Sequence, residues 1–316
     1  MDVLTKTFAN IEFLKPQTYE NITIVGLKTD IENNTDILHL KKALDLELVE
    51  INEINEAGTV DTLKVKNESN VPLLILDGEE LIGAKQNRIL NTTVLIPPKT
   101  EIPVPVSCTE RGRWAYNTPK FEKTNNIASG RIRFKKNIGV YHSLKKSNAY
   151  KSDQREIWDE INNITCDLKT FSKTEALSDT FEHKKHDITD YIKNLKYNKG
   201  QTGTIIFINN QLINMELVFN TSIYKQYHEK IIKSNALDGL TYKNNENLSD
   251  IDILFDADNF LKLIEDNEFE KFESIGIGED YRIKNENLIG SMLNYNDNIW
   301  HALFFNKNQN VISESL

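Results

Sequence analysis

VPLLILDGEELIGAKQNRILNTTVLIPPKTEIPVPVSC (71–108) holds a series of short apolar runs divided by turn residues. VPLLILDG (71–78) is continuously apolar up to an Asp-Gly pair, short enough for a strand buried on both faces. EELIGAKQ (79–86), NRILNTTVLI (87–96) and EIPVPVSC (101–108) follow, with Pro97-Pro98 between the last two. So dense a series of short strands predicts a sandwich or barrel. Toward the N-terminus, ENITIVGL (20–27), LELVEI (46–51) and TVDTLKV (59–65) alternate as half-buried strands do.

Downstream the pattern changes. All seven prolines lie at or before Pro119, and proline disfavours helix interiors. Ser152 is placed to cap a helix running to about Asn163, with Ile157, Trp158 and Ile161 on one face. Further helices are expected over 167–181 and 187–197. TGTIIFIN (202–209) and QLINMELVF (211–219) read as a hairpin across Asn209-Asn210. Helices over 222–234 and 256–266 then precede strands near 272–277, 280–285, 288–295 and 299–305. The expected fold class is α+β: a β-rich, sandwich- or barrel-like domain over 1–146, then an α+β domain over 147–316.

At 316 residues the chain can bury a core without staples. It has no apolar run near the length of a membrane span, and MDVLTKTFANIEFL carries charge through its one apolar stretch, which argues against a secretory leader. Cys108 and Cys166 are too few for a disulfide framework or a zinc knuckle. These features lead to the expectation of a cytoplasmic protein with no membrane association, metal or cofactor. Walker A, G-x-G-x-x-G, HExxH and G-x-S-x-G patterns are absent. Gly276-Ile277-Gly278 reads as a turn. His183 and His186 in EHKKHD (182–187) lack a third ligand nearby and read as a solvated helix junction.

The net charge of −9 conceals a division. Residues 1–84 carry −9, residues 85–146 carry +10 and residues 147–316 carry −10. Acidic flanks argue against broad adsorption to nucleic acid and favour a focused anion site. Of seven arginines among 31 lysines, Arg88, Arg111, Arg113, Arg131 and Arg133 fall within 46 residues. Guanidinium forks suit phosphate oxygens.

Antiparallel pairing of 87–96 with 101–108 across Pro97-Pro98 would bring Arg88 near Cys108 and the Glu110–Trp114 segment. Arg88, Arg111 and Arg113 would then hold phosphates, Gln86 and Asn87 would orient a sugar or base, and Trp114 would stack. Glu79, Glu80 or Glu110 would be the general base of any catalysis. Cys108 among three cations would have a lowered pKa, as a nucleophile needs. An internal network is the other reading, with Glu110 pairing with Arg88 or Arg113 and Cys108 buried and inert. His301, inside WHALFF (300–305), reads as a core histidine or as an acid–base group at a sheet rim.

GEELIGAKQNR (78–88) followed by VSCTERGRW (106–114) resembles the family described as the ARG and rhodanese-phosphatase-superfamily-associated protein domain. SDQREIWDEI (152–161), GQTGTIIFINNQLINMELVF (200–219) and WHALFF resemble its later blocks, so the likeness covers nearly the whole chain. The resemblance marks Gly78, Glu79, Gly83, Gln86, Asn87, Arg88, Cys108, Glu110, Gly112, Arg113 and Trp114. The family's name records gene neighbourhoods shared with ADP-ribosylglycohydrolases and rhodanese-like phosphatases, which implies a role in NAD or ADP-ribose metabolism but no particular reaction. The expectation is a protein that binds or processes an ADP-ribose- or NAD-derived nucleotide, as a hydrolase or transferase if it is an enzyme. The alternative is an interaction or scaffold module whose basic hairpin docks an acidic partner or forms a homodimer.

Overall fold

In a computed structural model of the chain, residues 8, 10–30, 35–55, 59–118, 120–242 and 249–308 are described. Most of the N-terminal segment read for a leader lies outside them. The fold is mixed α+β, and the chain forms two compact units that interleave along the sequence. The first comprises 1–34, 186–272 and 279–316, the second 35–185 and 273–278. The compositional change at 146/147 falls within the second unit. No helix of the described residues is long and apolar enough to cross a membrane.

The first unit is built on an antiparallel sheet. Ile11–Phe13 pairs with Ile22–Thr29, which carries Gln17–Tyr19 on the same edge and Gly203–Ile208 on the other. Gln211–Val218, Asn298–Asn306, Leu288–Tyr295, Glu279–Lys284 and Glu270–Glu273 complete the order. The expected hairpin is present, with both turn residues Asn209 and Asn210 at positive φ. Asparagine tolerates that conformation well. Across the centre, Val25, Ile205, Met215 and Phe304 stand in register on one face. They join Ile253, Ala257, Phe260, Leu261 and Ile264 of the helix Asp250–Glu265 in one buried cluster. Each of these side chains larger than alanine contributes roughly 1.5–3 kcal/mol on burial. Phe304 needs Gly290 opposite it, since a Cβ there would meet its ring at 2.2 Å.

The second unit holds the 71–108 stretch. Its larger sheet runs Phe121–Ile127, Glu79–Gly83, Arg88–Leu90, Thr100–Cys108, Thr62–Asn67, Val49–Glu53. A smaller one runs Val94–Ile96, Leu73–Ile75, Leu38–His39. The expected long hairpin is therefore only half formed. Val106, Ser107 and Cys108 do pair with Leu90, Ile89 and Arg88, but 94–96 leaves to join 73–75. Asn67 pins the turn between them, its Nδ2 donating to the carbonyls of Val71, Ile96 and Pro97. With its Oδ1 taken by the Ser69 amide, this buried amide is well satisfied.

Helix Gly130–Ser147 stands where the chain was expected to approach a boundary. Ser129 caps it by accepting from the Ile132 amide. Its buried face includes Arg131, Arg133, Lys136 and Asn137, so no apolar stripe announced it. The next helix, Gln154–Asp167, is capped by Asp153, which accepts from the Arg155 and Glu156 amides. Ser152, expected as that cap, instead hydrogen-bonds Ser107. The helix expected over 167–181 begins only at Leu177, after the positive-φ residues Lys169 and Glu175.

Candidate functional site

Strand 100–108 positions the site by changing partners midway. Thr100–Pro105 pairs with the 62–67 strand and Val106–Cys108 with Arg88–Leu90. Gln154 seals the end of this strand: its Oε1 accepts from the Cys108 amide at 2.7 Å and its Nε2 donates to the Cys108 carbonyl at 2.9 Å. The 79–83 and 88–90 strands form a hairpin whose loop carries Lys85, Gln86 and Asn87. Gly83 opens that loop at φ 105°, and a Cβ there would lie 2.1 Å from the Thr118 hydroxyl. Only glycine meets both conditions.

Arg113 joins this loop to the segment after Cys108. Its Nε donates to Glu110 Oε1 at 2.8 Å and its Nη2 to Glu110 Oε2 at 2.6 Å. Nη1 donates to the carbonyls of Ala84 and Ala115, and Nη2 also to the Gly83 carbonyl and Asn87 Oδ1. Glu110 accepts the Asn87 amide as well. Every donor nitrogen of Arg113 is engaged inside the protein, so this guanidinium builds the site and has none to offer a phosphate.

Arg88 differs. It is fully buried, and its Nη1 donates to Gln86 Oε1 and the Asn87 carbonyl at 3.2 and 3.3 Å. Among the described residues its Nε and Nη2 have no hydrogen-bond partner. The carboxylate of Glu53, itself buried, stands 3.9 Å from Nη2, and neither of its oxygens is hydrogen-bonded. Burial lowers the Arg88 pKa, opposed by the charges of Cys108 and Glu53. Trp114 lies over this guanidinium at 5.7 Å and over Lys85 Nζ at 5.4 Å, and Tyr116 stands 5.2 Å from the same ammonium. The rings are 47% and 52% exposed, so two aromatic faces reach solvent above a buried cationic floor.

Cys108 is buried beneath the same rim. Its thiol donates to Gln86 Oε1 at 3.2 Å, and burial pushes its pKa up to about 11 against the opposing charge of Arg88. Desolvation outweighs the guanidinium, reversing the direction expected from the local charge. A protonated, hydrogen-bonded thiol is a poor nucleophile.

The carboxylates diverge. Glu79 and Glu80 are neighbours on a strand and face opposite ways. Glu80 accepts from Thr109 Oγ1 and Asn126 Nδ2, at 3.3 and 2.8 Å, while Glu79 accepts the Leu76 amide at 3.2 Å. Arg111 points outward, 3.8 Å from Glu175 and 5.5 Å from the Trp158 ring. Arg133 and Lys136 pair with buried Asp77, and Arg131 and Lys135 with buried Glu160. Much of the basic excess of 85–146 is thus neutralised internally. Gln86, Asn87, Arg88, Cys108, Glu110, Arg113 and Trp114 are brought together. His301 lies in the other unit, buried, with Nε2 3.0 Å from Glu216 Oε1.

A family model described as ARPP-1, the ARG and Rhodanese-Phosphatase-superfamily-associated Protein domain, matches residues 10–305. The chain belongs to this family. No curated protein and no solved structure matches it.

Three residues of this candidate site escaped the sequence reading. Glu53 carried a signal, since in VEINE (49–53) it occupies the same phase as Val49 and Ile51 and therefore faces inward. A carboxylate on the apolar phase of a strand needs a partner. Lys85 and Tyr116 carried none beyond their nearness to Arg88 and Trp114.

Proposed function

We propose that the second unit binds an ADP-ribose- or NAD-derived nucleotide at the rim formed by Glu53, Lys85, Arg88, Trp114 and Tyr116. The observation that carries this reading is the unsatisfied pair beneath Trp114, the Arg88 nitrogens Nε and Nη2 and the Glu53 carboxylate 3.9 Å from Nη2. An orphaned donor beside an orphaned acceptor suits a hydroxyl, which gives one hydrogen bond and takes another. A ribose supplies such hydroxyls, and its base and phosphates supply the other two groups that the rim favours. Trp114 and Tyr116 offer faces for stacking a base, and Lys85 and outward-facing Arg111 offer charge for a pyrophosphate. The choice of ADP-ribose among nucleotides draws on what the family resemblance implies, the family's description itself naming only an association with ARG and the rhodanese-phosphatase superfamily. Trp114 covers Arg88, so its indole turns aside as the ligand enters.

The reading is one of binding. Glu79, Glu80 and Glu110 are buried and hydrogen-bonded within the unit, and Cys108 is protonated. A docking surface for an acidic partner is the second reading, favoured by the half-exposed indole and phenol.

Thermal unfolding against ADP-ribose, NAD, AMP and inorganic phosphate separates the two. A nucleotide at about 100 times its Kd adds about 2.7 kcal/mol, a rise of roughly 5–10 °C at this unit's size. Trp114→Ala and Glu53→Gln are expected to abolish that rise. No rise with any of the four compounds at millimolar concentration overturns the nucleotide reading.

A further inference from the structure

The first unit has a cavity of about 250 Å³ whose chemistry is opposite to that of the basic rim. Tyr19, Tyr191 and Tyr242 supply rings, and Glu20, Asp187 and Asp190 supply carboxylates. None of the described residues lining it is basic. Tyr19 and Tyr191 meet edge to face, centroids 5.1 Å apart and planes at 89°, so their faces make the corner of a box. The corner is held by a relay of hydrogen bonds. The Tyr191 hydroxyl donates to Asn21 Oδ1 at 2.9 Å, and Asn21 Nδ2 donates to the Gly239 carbonyl at 2.9 Å. Gly239 permits this approach, since a Cβ there would lie 2.7 Å from Ile22 Cδ1. Burial, then the charges of Glu20, Tyr19 and Asp187, push the Tyr191 phenol well above its ordinary pKa, so the ring stays neutral in a negative field.

We propose that this cavity binds an alkylammonium cation, with Tyr19, Tyr191 and Tyr242 as its walls and Glu20, Asp187 and Asp190 as its counter-charge. Aromatic faces attract a cation through the ring quadrupole, and carboxylates reinforce the field without needing directed hydrogen bonds. A carboxylate or phosphate would meet repulsion from three acids, with no cationic donor among the described residues lining the cavity. The volume suits a headgroup and not a whole nucleotide. Asp190 already meets Lys193 at 3.1 Å and His186 at 3.8 Å, but those partners are 66% and 91% exposed. Exposed pairs of this kind are weak and readily exchanged.

The test is calorimetric titration of the full-length protein with tetramethylammonium, choline, putrescine and spermidine, against KCl at equal ionic strength. Quaternary and primary amines are both alkylammonium ions, and the two arms tell which one the cage prefers. Saturable binding that weakens about tenfold or more in Asp187→Asn and in Tyr242→Ala is the expected result. Asp187 is exposed and Tyr242 half-buried, and circular dichroism establishes that each variant is folded. Heats no different from KCl for all four amines overturn the proposal. Binding unchanged in both variants overturns it equally.

Discussion

Arg113→Ala tests whether the guanidinium builds the site or serves a ligand. The substitution removes both bonds to Glu110 and those to the Gly83, Ala84 and Ala115 carbonyls and to Asn87 Oδ1. Glu110, whose side chain is 6% exposed, keeps only the Asn87 amide among these partners. Stripping one partner from a buried ion pair costs about 3–5 kcal/mol. Arg113 itself is 17% exposed, so water reaches part of the gap and the lower end, about 3 kcal/mol, is expected. At about 2–4 °C per kcal/mol, the melting temperature falls by roughly 6–12 °C in the absence of any ligand. Arg113→Lys keeps the charge but loses the fork, and is expected to recover about half of that loss. Differential scanning calorimetry of the two variants, with Glu110→Gln and the double variant, closes a thermodynamic cycle. A coupling of about 1–3 kcal/mol between the two residues is expected. A loss under about 1 kcal/mol, or additivity within about 0.5 kcal/mol, refutes the assignment of Arg113 as a framework group.

Three further outcomes are expected. At pH 8 iodoacetamide labels exposed Cys166 and leaves buried Cys108 until the protein is denatured, as mass spectrometry of the native protein would establish. Because folding raises the Cys108 pKa from 9.0 to about 11, its contribution of about 3 kcal/mol is fully present below pH 9 and lost as pH rises through 11. Urea titrations at pH 8 and 11, on the protein and on Cys108→Ala, would show a smaller alkaline loss in the variant. Gly276→Ala is expected to destabilise by about 2 kcal/mol or more, since its Cβ would lie 2.0 Å from the Leu95 carbonyl oxygen. A variant melting within about 1 °C of the parent would show that this backbone contact is absent.

The sequence by itself determined what local chemistry can encode. Strand alternation placed strands within 46–51 and 59–65, where burial alternates along Val49–Glu53 and Thr62–Asn67, because a period of two is set by each strand's own pleat. The 20–27 stretch, read as half-buried, is instead buried on both faces over Ile22–Leu27. Asn209-Asn210 fixed a hairpin, because asparagine accepts the backbone that a tight turn requires. The nearness of Arg88 to Cys108 was also legible, although 94–96 leaves the hairpin that the reading assumed and only 88–90 pairs with 106–108.

Tertiary structure alone decided the rest. It sent 94–96 to the 73–75 strand, a choice between apolar edges that are locally equivalent. It buried Arg133 and Lys136 against Asp77, so a helix with a charged inner face formed without an apolar period. It also divided the arginines by role. Arg113 is saturated by Glu110 and by the carbonyls of Gly83, Ala84 and Ala115, while Arg88 keeps two buried donor nitrogens, Nη2 standing 3.9 Å from Glu53, contributed by a strand 35 positions earlier. Guanidiniums that look alike in sequence differ because hydrogen-bond saturation depends on which distant acceptors the fold brings within about 3 Å.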